Sequence, residues 1–182
     1  MNAPHDTTTP AVPSAQLTVK SADDMRELGR RLSGLLRPGD LVLLSGELGA
    51  GKTTLTRGLG AGLNVRGAVT SPTFVIARVH PPLGDGPALV HVDAYRLSGG
   101  LDEMEDLDLD VSLPESVIVV EWGDGKVEDL SEDRLRVVIE RAVGADAPDP
   151  DDAAGDHEDV RTVTVTGIGD RWADADFSAL GR

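Results

Sequence analysis

Apolar and polar positions along the chain follow two different periods. Met25, Leu28, Leu32, Leu35 and Leu36 recur three and four residues apart, the spacing that gathers side chains on one face of an α-helix. Ser21 followed by Asp24 supplies an amino-terminal cap with an acid in the first turn, so a helix is predicted from there to about Leu36, where Pro38-Gly39-Asp40 ends the pattern. Arg26, Arg30 and Arg37 fall on its other side, as a solvated face or a contact surface for a partner or RNA. Leu55, Leu59 and Leu63 carry a second helical stripe to about Gly62, with glycines around its end. By contrast, Leu41-Val42-Leu43-Leu44, Ala88 to Val92 and Val117-Ile118-Val119-Val120 are short apolar runs of the kind found in strands buried on both faces.

Other elements are fainter. Leu17-Thr18-Val19 suits a short strand and Phe74 to Val79 another, with Pro81 to Pro87 as a turn. Leu101 to Val111 is an acidic helical candidate. Arg134 to Arg141 and Arg161 to Ile168 alternate apolar and polar residues, as half-buried strands do. Arg171 to Leu180 is expected to form a short helix packed by Trp172, Phe177 and Leu180. A chain of 182 residues suits one domain with a real core. Residues 1–14 are expected to be a disordered tail, and 15–182 the domain. Within it, 145–159 holds seven acids and no Lys or Arg, too poor in apolar residues to order itself. That stretch is expected to be a flexible, dispensable hairpin loop.

Between the first of these apolar runs and the second helix lies the chemistry. Gly46-Glu47-Leu48-Gly49-Ala50-Gly51-Lys52-Thr53 is a complete G-x-x-x-x-G-K-[ST] phosphate-binding loop, placed directly after Leu41-Val42-Leu43-Leu44. Such a loop works as a strand-to-helix turn whose backbone N–H groups converge on phosphate oxygens. Gly46, Gly49 and Gly51 allow that turn and the close approach of the anion. Lys52, Thr53 and Thr54 open the helix, whose free N–H groups and positive end face the phosphates. Glu47 to Thr54 are therefore the expected nucleotide contacts (Glu47, Leu48, Gly49, Ala50, Gly51, Lys52, Thr53 and Thr54), with Lys52 the point charge on the terminal phosphates and the Thr53 hydroxyl a magnesium ligand.

A phosphate loop needs an acid on a second strand to hold magnesium and orient water. Two strands supply one. Asp93 and Glu121 each close an apolar run, and in an open parallel sheet ligands sit beyond the carboxyl ends of the strands. Trp122, beside Glu121, can stack on a base or pack in the core.

Composition narrows the partners. Without cysteine there are no disulfides or thiolate metal sites, and His5, His80, His91 and His157 lack zinc spacing, so any metal is expected to be oxygen-bound magnesium. A net charge of −15 argues against broad nonspecific contact with nucleic acid. No stretch approaches roughly 18 uninterrupted apolar residues, and Met1 to Pro13 has neither a basic patch nor an apolar core, so a cytoplasmic protein without membrane contact is expected.

Taken in order, Gly46 to Thr54, Ser71-Pro72-Thr73-Phe74, His91-Val92-Asp93-Ala94-Tyr95-Arg96-Leu97 and Glu121-Trp122 resemble the TsaE (YjeE) family, small bacterial ATPases required for threonylcarbamoyladenosine formation at position 37 of tRNA. The likeness spans about residues 17–141. It implies an α/β, P-loop NTPase-like three-layer fold with a mainly parallel central sheet and antiparallel C-terminal strands. By the same likeness, Ser71 to Phe74 would be a switch-like segment with Thr73 near the γ-phosphate or metal. Asp93 would position water or metal, Glu121 would complete the magnesium site, and Trp122 would contact adenine. His91, Tyr95 and Arg96 match the motif, in support of the fold, a partner surface or catalysis. Two features depart from the family pattern: Met104-Glu105-Asp106-Leu107 leads to Asp108 where a glycine is usual, and the acidic stretch 145–159 has no expected counterpart.

The resemblance also implies partners, TsaD and its paralogue TsaB, with tRNA met indirectly through their complex. The chain alone is then expected to be a monomer with weak, Mg-dependent ATPase activity. Two alternatives use the same loop: a small-molecule kinase, whose lid would ordinarily be Arg-rich rather than acidic, and a noncatalytic nucleotide-sensing module. A GTPase is disfavoured because neither Asn2 nor Asn64 begins an Asn-Lys-x-Asp motif.

Overall fold

The computed structural model describes residues 13–46, 51–66, 77–93, 113–121, 131–141 and 160–181. Their architecture is a seven-stranded mixed sheet with two helices packed on one face. The strands are β1 (Ser14–Val19), β2 (Leu41–Gly46), β3 (Ala77–His80), β4 (Ala88–Asp93), β5 (Ser116–Glu121), β6 (Arg134–Arg141) and β7 (Arg161–Ile168). The helices are α1 (Ala22–Ser33) and α2 (Lys52–Leu63). Strand order across the sheet is β1-β7-β6-β2-β5-β4-β3.

The three continuous apolar runs become the middle of this sheet, where both faces of a strand are covered. β2 pairs in parallel with β5, and β5 with β4. β6 and β7 pair antiparallel, as the family resemblance implies, and β1 and β3 close the two edges antiparallel. β6 adds something that alternation does not show, because its other edge runs parallel to β2. Alternation says which side chains are buried, not which strand lies alongside. β1 begins at Ser14, three residues before the expected Leu17.

Local chemistry sets the helix limits. Ser21 Oγ accepts a hydrogen bond from the Asp24 amide at 3.1 Å, and Asp23 and Asp24 favour the positive end of α1, with Arg30 and Arg31 at the other end. Met25, Leu28 and Leu32 are buried, whereas Arg26 and Arg30 stay in solvent and pair with Asp23 and Glu27. α2 stops at Asn64, which takes the left-handed conformation at φ 56°.

α1 and α2 meet backbone to backbone. A Cβ on Gly29 would lie 2.9 Å from the Leu59 amide nitrogen, and one on Gly58 would lie 2.9 Å from the Arg26 carbonyl carbon. Glycine disfavours helix by about 1 kcal/mol per residue, and here its missing side chain is what lets the helices approach. The core on this side joins Met25, Leu28 and Leu32 to Val42, Leu44, Leu55, Leu59, Val119 and Val165. The opposite face buries Leu41, Leu43, Val90, Val92, Ile118 and Val120. The helix expected over Leu101 to Val111 lies outside the described residues, as does the loop 145–159.

The carboxyl-terminal segment differs from the expected single helix. It makes two 3-10 turns, Asp170–Trp172 and Ser178–Gly181, although Trp172, Phe177 and Leu180 are buried as expected. Arg171 explains the early stop: its guanidinium is anchored to Asp40 and to the Leu35 carbonyl, and stacks over the Trp172 ring at 4.2 Å.

Candidate active site

The register of the central strands brings the site together. Leu44 of β2, Glu121 of β5 and Asp93 of β4 lie side by side at one level, near the carboxyl ends of three parallel neighbours. Two residues beyond Leu44, β2 ends at Gly46, and α2 starts at Lys52. This is the strand-to-helix context that the loop motif requires.

Gly51 precedes the helix at φ 112°, and a Cβ there would lie 3.2 Å from Met25 Cε. The conformation belongs to glycine, and the close approach ties the loop to α1. No side chain caps α2 and no acid occupies its first turn. The unneutralised positive end of this helix therefore lies at the loop, where an anion would complete it.

Lys52 is only 7% exposed. Its Nζ donates to the Gly46 carbonyl at 2.8 Å, joining the start of α2 to the end of β2. Burial pushes the ammonium pKa below the usual lysine value, against the pull of the Glu121 and then the Asp93 carboxylates. One cation is thus held within electrostatic reach of both strand-end acids. Thr53 and Thr54 are half-buried on the first turn of α2, and Thr56 Oγ1 donates back to the Lys52 carbonyl at 2.8 Å, fixing that turn.

Glu121 is buried and Asp93 half-buried. Period-two alternation gives them the same face of the sheet as Leu89, Val119 and α2. His91 shares that face. It is fully buried, with Nε2 3.3 Å from Glu121 Oε2. The sequence names His91 only through the family motif, and its pairing with Glu121 emerges from strand parity and register together.

Lys52, Thr53, Thr54, Gly51, Asp93 and Glu121 are therefore brought to one end of the sheet or to the helix facing it. Glu47, Leu48, Gly49, Ala50, Thr73 and Trp122 lie outside the described residues, as do Tyr95 and Arg96. A separate cavity of about 570 Å³ opens between β1 and α1 beside Gln16, Asp24, Glu27, Arg31 and Leu180, and includes none of these site residues. Among the described residues no group of three or more His, Asp or Glu could hold a metal ion, and the chain has no cysteine. An oxygen set of one hydroxyl and one or two carboxylates, completed by substrate phosphates and water, is what magnesium takes in such sites.

Parallel strands converging on a glycine loop, a buried lysine and an uncapped helix define a P-loop α/β protein. Comparison with known proteins narrows the class. Residues 19–146 match the family model described as threonylcarbamoyl adenosine biosynthesis protein TsaE, and the chain belongs to that family. It is 77% identical over 156 residues to the tRNA threonylcarbamoyladenosine biosynthesis protein TsaE of Streptomyces coelicolor, covering 86% of this chain and 99% of that one. The protein of the same name from Bacillus subtilis is 37% identical over 152 residues, covering 82% and 84%. The crystal structure of Bacillus subtilis YdiB superposes with a TM-score of 0.65 at 31% identity, covering 89% of this chain and 90% of that one.

Proposed function

We propose that this protein binds and hydrolyses ATP with magnesium, and that hydrolysis serves threonylcarbamoyladenosine modification of tRNA through a complex of TsaB and TsaD. The observation that carries the reading is the placement of Lys52: buried at the uncapped start of α2, and within electrostatic reach of two acids brought level by the register of β4 and β5. A cation held this way suits a polyphosphate. Naming of the close relatives as tRNA threonylcarbamoyladenosine biosynthesis proteins supports the pathway.

In this reading the amides from Gly46 to Thr53 bind the phosphates, with Glu47, Leu48, Gly49, Ala50 and Thr54 contributing to the cradle. Lys52 exchanges the Gly46 carbonyl for a phosphate oxygen, so the bond at 2.8 Å is the one given up to substrate. The Thr53 hydroxyl and Glu121 would hold magnesium, which when bound screens the charge developing between the phosphates. Asp93 orients the attacking water, Thr73 contacts the terminal phosphate, and Trp122 contacts adenine. A site whose nucleophile is water needs no acceptor pocket beyond this.

An acidic chain suits docking on protein partners that themselves grip tRNA, in the cytoplasm, and coupling to them makes the ATPase partner-dependent. The test is reconstitution with TsaB, TsaD and tRNA, counting turnovers of modification. Wild type is expected to support multiple turnovers and Lys52→Ala none beyond the first. Undiminished turnover with Lys52→Ala, or hydrolysis indifferent to TsaB and TsaD, would refute the proposal.

A further inference from the structure

His91 does nothing in the reaction as set out above, and its position is costly. The imidazole is fully buried, and among the described residues neither ring nitrogen has a well-formed hydrogen bond. Leaving such a group unsatisfied costs about 1–3 kcal/mol. Leu89, Val119 and Leu44, all fully buried, flank it on this face of the sheet, together with Asp93, Glu121, His80 and its own cross-strand partner Arg78. A buried polar group left unsatisfied in a native fold calls for a functional reason.

The acid beside it supplies one. Nε2 lies 3.3 Å from Glu121 Oε2, too far and too poorly aligned for a full hydrogen bond, yet close enough for an attractive contact when the proton is on Nε2. A carboxylate can only accept, so that tautomer is the one the pair favours. We propose that His91 is a positioning residue for Glu121: it holds one carboxylate oxygen against the sheet and leaves the other as the magnesium ligand. The inference rests on the reading of Glu121 as that ligand.

Two consequences follow from holding the carboxylate. Its rotation is restricted before the metal arrives, so less freedom is lost on binding. Glu121 is also kept from swinging onto Lys52, whose ammonium it attracts more strongly than Asp93 does. A carboxylate that closed on Lys52 would neutralise the charge meant for phosphate and withdraw the metal ligand together. Hydrogen-bond partners of metal ligands commonly matter this much, and their removal typically weakens metal binding about 10- to 100-fold.

The test compares wild type with His91→Leu, His91→Gln and His91→Asn. A glutamine amide can reach the place of Nε2, whereas an asparagine amide reaches only that of Nδ1. Mn²⁺ binding is followed by electron paramagnetic resonance in the presence of a non-hydrolysable ATP analogue, and fluorescent ADP binding is followed in EDTA. Expected are about 10-fold or greater losses of Mn²⁺ affinity in His91→Leu and His91→Asn, with His91→Gln recovering most of it. ADP affinity without metal should stay within about twofold throughout, and the melting temperature of His91→Leu should equal or exceed that of wild type. Equal Mn²⁺ affinity in the Gln and Asn variants overturns the inference, even should His91→Leu fail to fold. Wild-type protein that binds no ADP overturns the nucleotide reading beneath it, a failure visible before any variant is made.

Discussion

Lys52 Nζ and the Gly46 carbonyl, 2.8 Å apart, join the two ends of the phosphate loop. The lysine is buried and its ammonium is disfavoured there, so the contact is a holding position rather than a source of stability. Lys52→Ala is expected to lower ATP hydrolysis about 100-fold or more, as loss of a main stabilising donor does. Its melting temperature should match or exceed that of wild type, because the desolvated charge is gone. Turnover assays paired with calorimetry check both halves; a large drop in stability with hydrolysis intact would assign Lys52 to the fold.

Gly29 and Gly58 let α1 rest directly on the helix that carries Lys52. A Cβ at Gly29 would sit 2.9 Å from the Leu59 amide nitrogen and 3.0 Å from Gly58 Cα, and backbone atoms cannot swing aside as a side-chain end can. Gly29→Ala and Gly58→Ala should each destabilise by about 1–3 kcal/mol in urea unfolding, the range of overpacked cores. Gly84→Ala is the control, since nothing lies within 4 Å of its added methyl, and should change stability by less than about 0.5 kcal/mol. Nucleotide affinity should fall with Gly29→Ala as well, because displacing α2 displaces the loop. Equal stability of all three variants would show that the helices can part at no cost.

What could be read in advance divides along the range of the physics. Buried strands, the Ser21 cap, the apolar face of α1 and the loop between β2 and α2 are local patterns, and each is where the sequence places it. Asp93 and Glu121 were legible as strand-end acids because a continuous apolar run that stops on a carboxylate is conspicuous. Other features depend on partners far along the chain. Gly29 and Gly58 read locally only as poor helix formers, and their purpose appears when the helices cross. The parallel pairing of β6 with β2 needs register, which composition does not carry. His91 reads as one polar residue in an apolar strand until β5 is laid beside it.

Arg171 and Asp40 form the most distant of these pairings. The guanidinium donates from Nε to Oδ1 at 3.2 Å and from Nη2 to Oδ2 at 3.1 Å, while the Arg37 amide donates to Oδ2 at 2.8 Å. Asp40 is 4% exposed, so removing its partner leaves a buried charge. Arg171→Ala should cost about 3 kcal/mol, the lower end for a broken buried pair, since the Arg37 amide still contacts the carboxylate. Arg171→Lys should recover only part, lacking the planar fork. Combined with Asp40→Ala, Arg171→Ala should cost less than the two single losses together, because no charge is then stranded. Strict additivity in chemical denaturation would show that the two residues act independently.

His80 predicts how stability depends on acidity. It is 4% exposed at the end of β3, and among the described residues Nε2 has no hydrogen-bond partner. Burial pushes its pKa below the ordinary histidine value of 6.5; a backbone hydrogen bond with Arg66 opposes the shift, and the nearby His91 and Arg78 add to it. Above that ordinary value both folded and unfolded chains carry a neutral imidazole, and the group is indifferent to pH. As pH falls through about 6.5 the unfolded chain takes up the proton first, so folding stability is lost, by at most about 1.4 kcal/mol per pH unit, until the folded pKa is passed. His80→Leu cannot take up that proton. Urea unfolding at pH 7.5 and at pH 5.5 should therefore show a larger loss for wild type than for His80→Leu. Equal losses would mean that His80 is protonated as readily in the fold as outside it.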